Sequence, residues 1–148
     1  MSYEFKFQKI LSLKEREKDE AHNVYKESVA KFEEVAEKLY TYLKKKENIE
    51  AFQLDKLQTG LSVQDIRHHQ QFIMNLEKTI SYFQEQVMQA RSRMYWYEEK
   101  LTEMNVEVKK YEKLKEKDFN VFLQAIKNDE GKQLDEVSVT QFMNRGIR

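Results

Sequence analysis

From Ile66 to Tyr111 the sequence offers a core residue at alternating steps of three and four without once losing register. The series runs Ile66, His69, Ile73, Leu76, Ile80, Phe83, Val87, Ala90, Met94, Tyr97, Leu101, Met104, Val108 and Tyr111, and only His69 is neither apolar nor aromatic. A seven-residue repeat held this long draws one narrow seam along an under-wound helix, and that seam must face another helix. A helix lying on a globular core would show a wider stripe with a period nearer roughly 3.6 residues. The stretch is therefore a long coiled-coil helix that needs a partner.

The partner is sought upstream. Between Tyr3 and Leu57, apolar and aromatic residues again recur at helical spacing, cleanly from Phe32 through Val35, Leu39 and Tyr42, across Lys46, and on to Ile49. Nearer the start the pattern loosens, with Lys14, Glu17 and Ser28 where core residues are expected. Glu27–Lys31 and Glu34–Lys38 stand four apart on the outer face in the favourable order, each pair contributing about 0.2–0.5 kcal/mol. Between the helices lies Gly60, suited to the left-handed residue that follows a helix C-terminus. Ser62 with Asp65 three residues on then reads as a cap opening the second helix. A short link makes antiparallel neighbours.

The expected fold is all-α, a long antiparallel two-helix coiled-coil hairpin in one domain. Its first helix covers about 3–58, its turn 59–63 and its second helix about 64–129, with a weakly ordered segment at 130–148. A helix of about 55 residues extends ~80 Å. Parallel dimerisation through the second helix is the competing arrangement.

Composition agrees with thin helices rather than a globule. Proline is absent, glycine occurs only at 60, 131 and 146, and 35% of residues are charged, against roughly 25% in ordinary globular chains. Positive and negative side chains balance at 26 each, which favours neither nucleic acid nor an anionic membrane. The lysines at 44–46 and from Lys109 to Lys117 are interleaved with glutamates such as Glu107, Glu112 and Glu116, and read as solvated faces. No cysteine is present, so disulfides and thiolate metal sites are excluded. Met1–Leu13 lacks the apolar run of a signal peptide, and no apolar segment is long enough to span a membrane. A soluble, cytoplasmic protein is the expectation.

Nothing in the sequence suggests catalysis. His68 and His69 are adjacent and diverge on a helix, while His22 belongs to the other helix. No nucleophile triad, phosphate loop or histidine–carboxylate metal motif occurs, and neither enzyme activity nor a cofactor is expected. More informative are large apolar residues that the seam does not use: Phe72, Tyr82, Tyr95, Trp96 and Phe119. They are either flanking residues covered by the neighbouring helix or a docking surface. Phe72 stands out because it follows Gln70-Gln71 and precedes seam residue Ile73, so the two bulky neighbours face different ways.

The run Phe5-Lys6-Phe7-Gln8-Lys9-Ile10-Leu11-Ser12-Leu13-Lys14-Glu15 resembles the opening of flagellar FliJ proteins. Gln70-Gln71-Phe72-Ile73 with Leu76-Glu77-Lys78, Tyr111-Glu112-Lys113-Leu114-Lys115 and Lys132-Gln133-Leu134-Asp135-Glu136 resemble the same family in order and spacing. The resemblance covers essentially the whole chain. It implies a non-enzymatic antiparallel coiled coil of the flagellar type III export apparatus, similar to the stalk subunit of rotary ATP synthases. It further implies three partners: the hexameric export ATPase, the cytoplasmic part of the membrane export gate, and flagellar export chaperones. The protein would then be cytoplasmic and peripherally associated with the membrane through the apparatus.

Carried onto this chain, the gate-facing surface falls on Phe72, Leu76, Thr79 and Phe83 with Tyr42 and Ile49. Leu76 and Phe83 also belong to the seam, so a structural role competes there. By analogy with a stalk in a ring, the ATPase-facing surface falls on Phe5, Phe7, Ile10 and Leu11 with Lys115, Phe119 and Phe122. Two other functions fit the same shape: a scaffold self-associating through the second helix, and a general export chaperone shielding apolar client segments.

Overall fold

The computed structural model describes residues 2–146. Two helices make up almost all of it, α1 over Gln8–Thr59 and α2 over Val63–Gly146. They pack on one another within two compact units. One unit joins the N-terminal stretch as far as Lys18 to α2 from Glu103 onward, and the other holds the chain from Asp19 to Thr102.

In the second of these units the chain reverses at Gly60, which takes φ 95° directly after α1. A side chain there would meet no neighbour, so what selects glycine is its ease at positive φ. The backbone N–H of Asp65 donates to the Ser62 hydroxyl at 3.1 Å, which satisfies one of the orphan donors at the start of α2. Beyond the turn the pairing is antiparallel. As positions on α1 retreat from Phe52 through Lys46 to Tyr42, their partners on α2 advance from His69 through Glu77 to Phe83.

The three-four series predicts burial well. Leu76, Ile80, Ala90 and Val108 are buried and the other members, from Ile66 to Tyr111, are half-buried. The misfits of the seam are locally satisfied. Ser28 is buried, and its hydroxyl donates to the Tyr25 carbonyl at 2.6 Å. Lys46 reaches Glu77 across the pair at 3.4 Å and Glu50 along α1 at 3.8 Å. Lys14 pairs with Glu17 at 3.5 Å.

In the other unit two expectations are revised. The expected helix from residue 3 begins only at Gln8. Before it, Tyr3 is half-buried, Glu4 exposed, Phe5 buried and Lys6 exposed, the period of an extended segment. Phe5 packs with Leu11 of α1 and Val108 of α2, with Tyr3 and Tyr111 against that cluster. Burying these aromatics on α2 outweighs another turn of helix.

The helix end expected near residue 129, with a weakly ordered segment after it, does not occur either, since α2 runs on to Gly146. An interior glycine costs a helix only about 1 kcal/mol relative to alanine, and no proline stops it. Thr140 donates its hydroxyl to the Glu136 carbonyl at 2.9 Å, an internal helix contact. Every residue from Lys132 to Gly146 is exposed, so backbone hydrogen bonds rather than packing hold this stretch. Ile147 and Arg148, expected to fray with Met143 and its neighbours, lie outside the described residues.

Candidate docking surfaces

A helical pair offers side chains in rows, so a docking surface must come from residues that the seam leaves uncovered. In the unit from Asp19 to Thr102, the expected gate-facing residues separate into four environments. Leu76 is 7% exposed and is core. Thr79 is half-buried and donates its hydroxyl to the Asn75 carbonyl at 3.1 Å. Phe83 stacks on Tyr42 with ring centroids 5.2 Å apart and planes at 14°. That stack floors an open hollow rimmed by Glu34, Glu37, Lys38, Thr41 and Lys45, with the Lys45 ammonium 5.1 Å from the Tyr42 ring centre.

Nearer the turn, Phe72 is 51% exposed and forms a shallow, nearly all-apolar groove with Ile49, His68 and His69. Phe52 of α1 lies against His69 at 5.8 Å. The structure thus brings Phe72 to Ile49, and Tyr42 to Phe83, in two neighbouring hollows. His68, His69 and Lys45 were not expected in these roles. The signal available for the histidines was their step behind Phe72, three and four residues earlier on one helical face.

The expected ATPase-facing residues all lie in the other unit. Phe5 and Leu11 are buried in the cluster with Val108 and present no side chain to a partner. Phe7, Ile10 and Phe119 are about two-fifths exposed, and Phe122 is half-buried. Tyr3, which sequence reasoning left out, organises the rest. Its ring meets Phe119 edge-on at 5.1 Å and Phe122 at 5.3 Å. Its hydroxyl donates to the Asp118 carboxylate at 3.0 Å, and lies 3.4 Å from the Lys115 carbonyl.

Burial raises the Tyr3 phenol above its ordinary 10.0, and the hydrogen bond to Asp118 and that residue's negative charge raise it further. Lys115 donates its ammonium to the Gln8 side-chain carbonyl at 2.7 Å. Lys115 and Asp118 are therefore both partnered within the unit. Of the expected apolar residues, Phe7, Ile10 and Phe119 stay open to solvent, alongside others of this unit such as Leu13, Leu114 and Val121.

Among the described residues no group of three or more histidines and carboxylates stands close enough to hold a metal ion. Among them, no helix is long and apolar enough to cross a membrane.

Comparison with known proteins assigns the chain. It resembles in fold a solved YscO homolog, CT670 from Chlamydia trachomatis, with a TM-score of 0.50 at 20% identity, covering 97% of this chain and 96% of that one. It is 49% identical over 146 residues to the flagellar FliJ protein of Bacillus subtilis (strain 168), covering 99% of both chains. The family model for the flagellar FliJ protein matches residues 3–146. With nearly every residue matched and a relative of that identity, the chain belongs to the flagellar FliJ family.

Proposed function

We propose that this protein is a non-enzymatic coiled-coil stalk of the flagellar export apparatus, which stimulates the hexameric export ATPase and couples it to the cytoplasmic part of the membrane export gate. The gate docks on the groove of Phe72, Ile49, His68 and His69 and on the neighbouring Tyr42–Phe83 stack. The ATPase packs on Phe7, Ile10 and Phe119. Export chaperones are further partners, handing filament-type substrates to the same apparatus. The protein works in the cytoplasm, at the inner face of the membrane, and is held there by its partners.

The observation that carries this reading is the exposure of Phe72. A large aromatic side chain half open to water, beside an apolar groove and outside the seam, has no folding role that demands it, while aromatic anchors in pockets dominate binding energies. Binding of the purified gate domain to this protein and to Phe72→Ala, measured by calorimetry, tests it. The reading expects a loss of about tenfold or more in affinity at unchanged helicity. Equal affinity of the two proteins sinks it.

A further inference from the structure

α2 carries an exposed face, with Met88 and Tyr95 on it and Trp96 at its edge, that neither helix pairing nor the proposed docking surfaces use. Met94, Tyr97 and Leu101 of the seam are half-buried, whereas Met88, Ser92, Tyr95, Trp96 and Glu99 are exposed. Steps of three and four line up Met88, Ser92, Tyr95 and Glu99 on one face. Tyr95 is 53% exposed, Trp96 55% and Met88 69%. Tyrosine, tryptophan and arginine are the residue types most enriched among binding hot spots.

These side chains are also held in place. The Arg91 guanidinium lies 5.9 Å from the Tyr95 ring centre and the Lys100 ammonium 5.2 Å from that of Trp96. Trp96 meets the inward Tyr97 edge-on at 5.1 Å. Rings already fixed lose little freedom on binding.

The charges select the occupant. Arg91, Tyr95 and Glu99 stand four apart on one ridge, so the row reads cation, aromatic, anion, with a second acid at Glu98. Turned end for end about Tyr95, the same row sets Glu98 and Glu99 opposite Arg91, and the match occurs twice by symmetry. A row so arranged is self-complementary, as a two-fold interface requires. A parallel copy instead sets Arg91 against Arg91 and Glu99 against Glu99.

We infer that the Met88–Glu99 face of α2 pairs with a second copy of this chain in antiparallel fashion, with Tyr95 at the two-fold axis and Arg91 facing the partner copy's acids. The contact runs for about three helical turns, short of the ~800 Å² per partner of a standard stable interface. The pairing is therefore weak, reversible and sensitive to salt.

Sedimentation equilibrium of the full chain tests it, with neither ATPase nor gate present, so that the result stands apart from the function proposed above. Expected is a concentration-dependent dimer between about 10 µM and 1 mM at low salt, weakened roughly tenfold by Arg91→Glu and by Glu99→Arg alone. Combining the two substitutions should restore it. All these positions are exposed, and thermal melting checks that each variant is folded. Because the chain has no cysteine, orientation is read by oxidation: Met88→Cys mixed with Thr102→Cys should cross-link, and Met88→Cys alone should not. A monomer throughout the range, a charge swap that fails to restore pairing, or a Met88→Cys homodimer overturns the inference.

Discussion

The Tyr3 hydroxyl donates to the Asp118 carboxylate at 3.0 Å, joining residues 115 positions apart in the chain. With its ring against Phe119 and Phe122, Tyr3 latches the extended N-terminal segment onto α2.

The latch depends on a neutral phenol. Because the folded pKa of Tyr3 is raised above 10.0, its stabilising effect is whole below that value and is lost as pH rises through the folded pKa. Alkaline titration should therefore release the segment, seen as a shift of the Tyr3 and Phe119 ring signals in NMR. Tyr3→Phe should loosen the segment at neutral pH and abolish that part of the alkaline transition. An unchanged transition in Tyr3→Phe would assign it to other groups.

Phe72 and Leu76 stand four residues apart on α2 and should behave oppositely. Leu76 is buried, so Leu76→Ala should cost about 2–5 kcal/mol by thermal or urea melting. Phe72→Ala should change stability by no more than ~0.5 kcal/mol while weakening gate binding. A steep loss of stability in Phe72→Ala would make Phe72 a folding residue.

Two glycines should respond with opposite sign. At Gly131, helical and without neighbours to meet a Cβ, alanine should stabilise α2 by about 0.5–1 kcal/mol. At Gly60, with φ 95°, alanine should destabilise the hairpin by about 1–2 kcal/mol. Urea melts of the two variants check both.

Why part of this was legible and part was not follows from where the information lies. The Ile66–Tyr111 seam and the Gly60–Ser62 turn are local patterns repeated or punctuated along the chain, and physical pairing obeys them closely. The extended segment was legible only in the five residues Tyr3-Glu4-Phe5-Lys6-Phe7, whose alternation of two is drowned by the helical pattern that follows. The contacts that stabilise it come from Val108 and Phe119, far away in sequence. Continuation of α2 beyond Gly131 reflects a balance of about 1 kcal/mol, too small for one glycine to settle.

The candidate surfaces divided for a related reason. Seam and docking surface draw on the same residue types: the three-four period set Leu76 apart from Phe72, but near the loosely patterned start Phe5 and Leu11 could be separated from Phe7 and Ile10 only by their observed burial. Local spacing set His68 and His69 beside Phe72, but that Ile49 of α1 would complete their groove is a tertiary fact no local motif announces.

The most direct test of the proposed stalk function is the ATP hydrolysis rate of the matching flagellar export ATPase, titrated with this purified protein. The account predicts a stimulated rate that saturates near one chain per hexamer and weakens when Phe7, Ile10 and Phe119 are replaced by alanine. A flat titration with both proteins folded would contradict it.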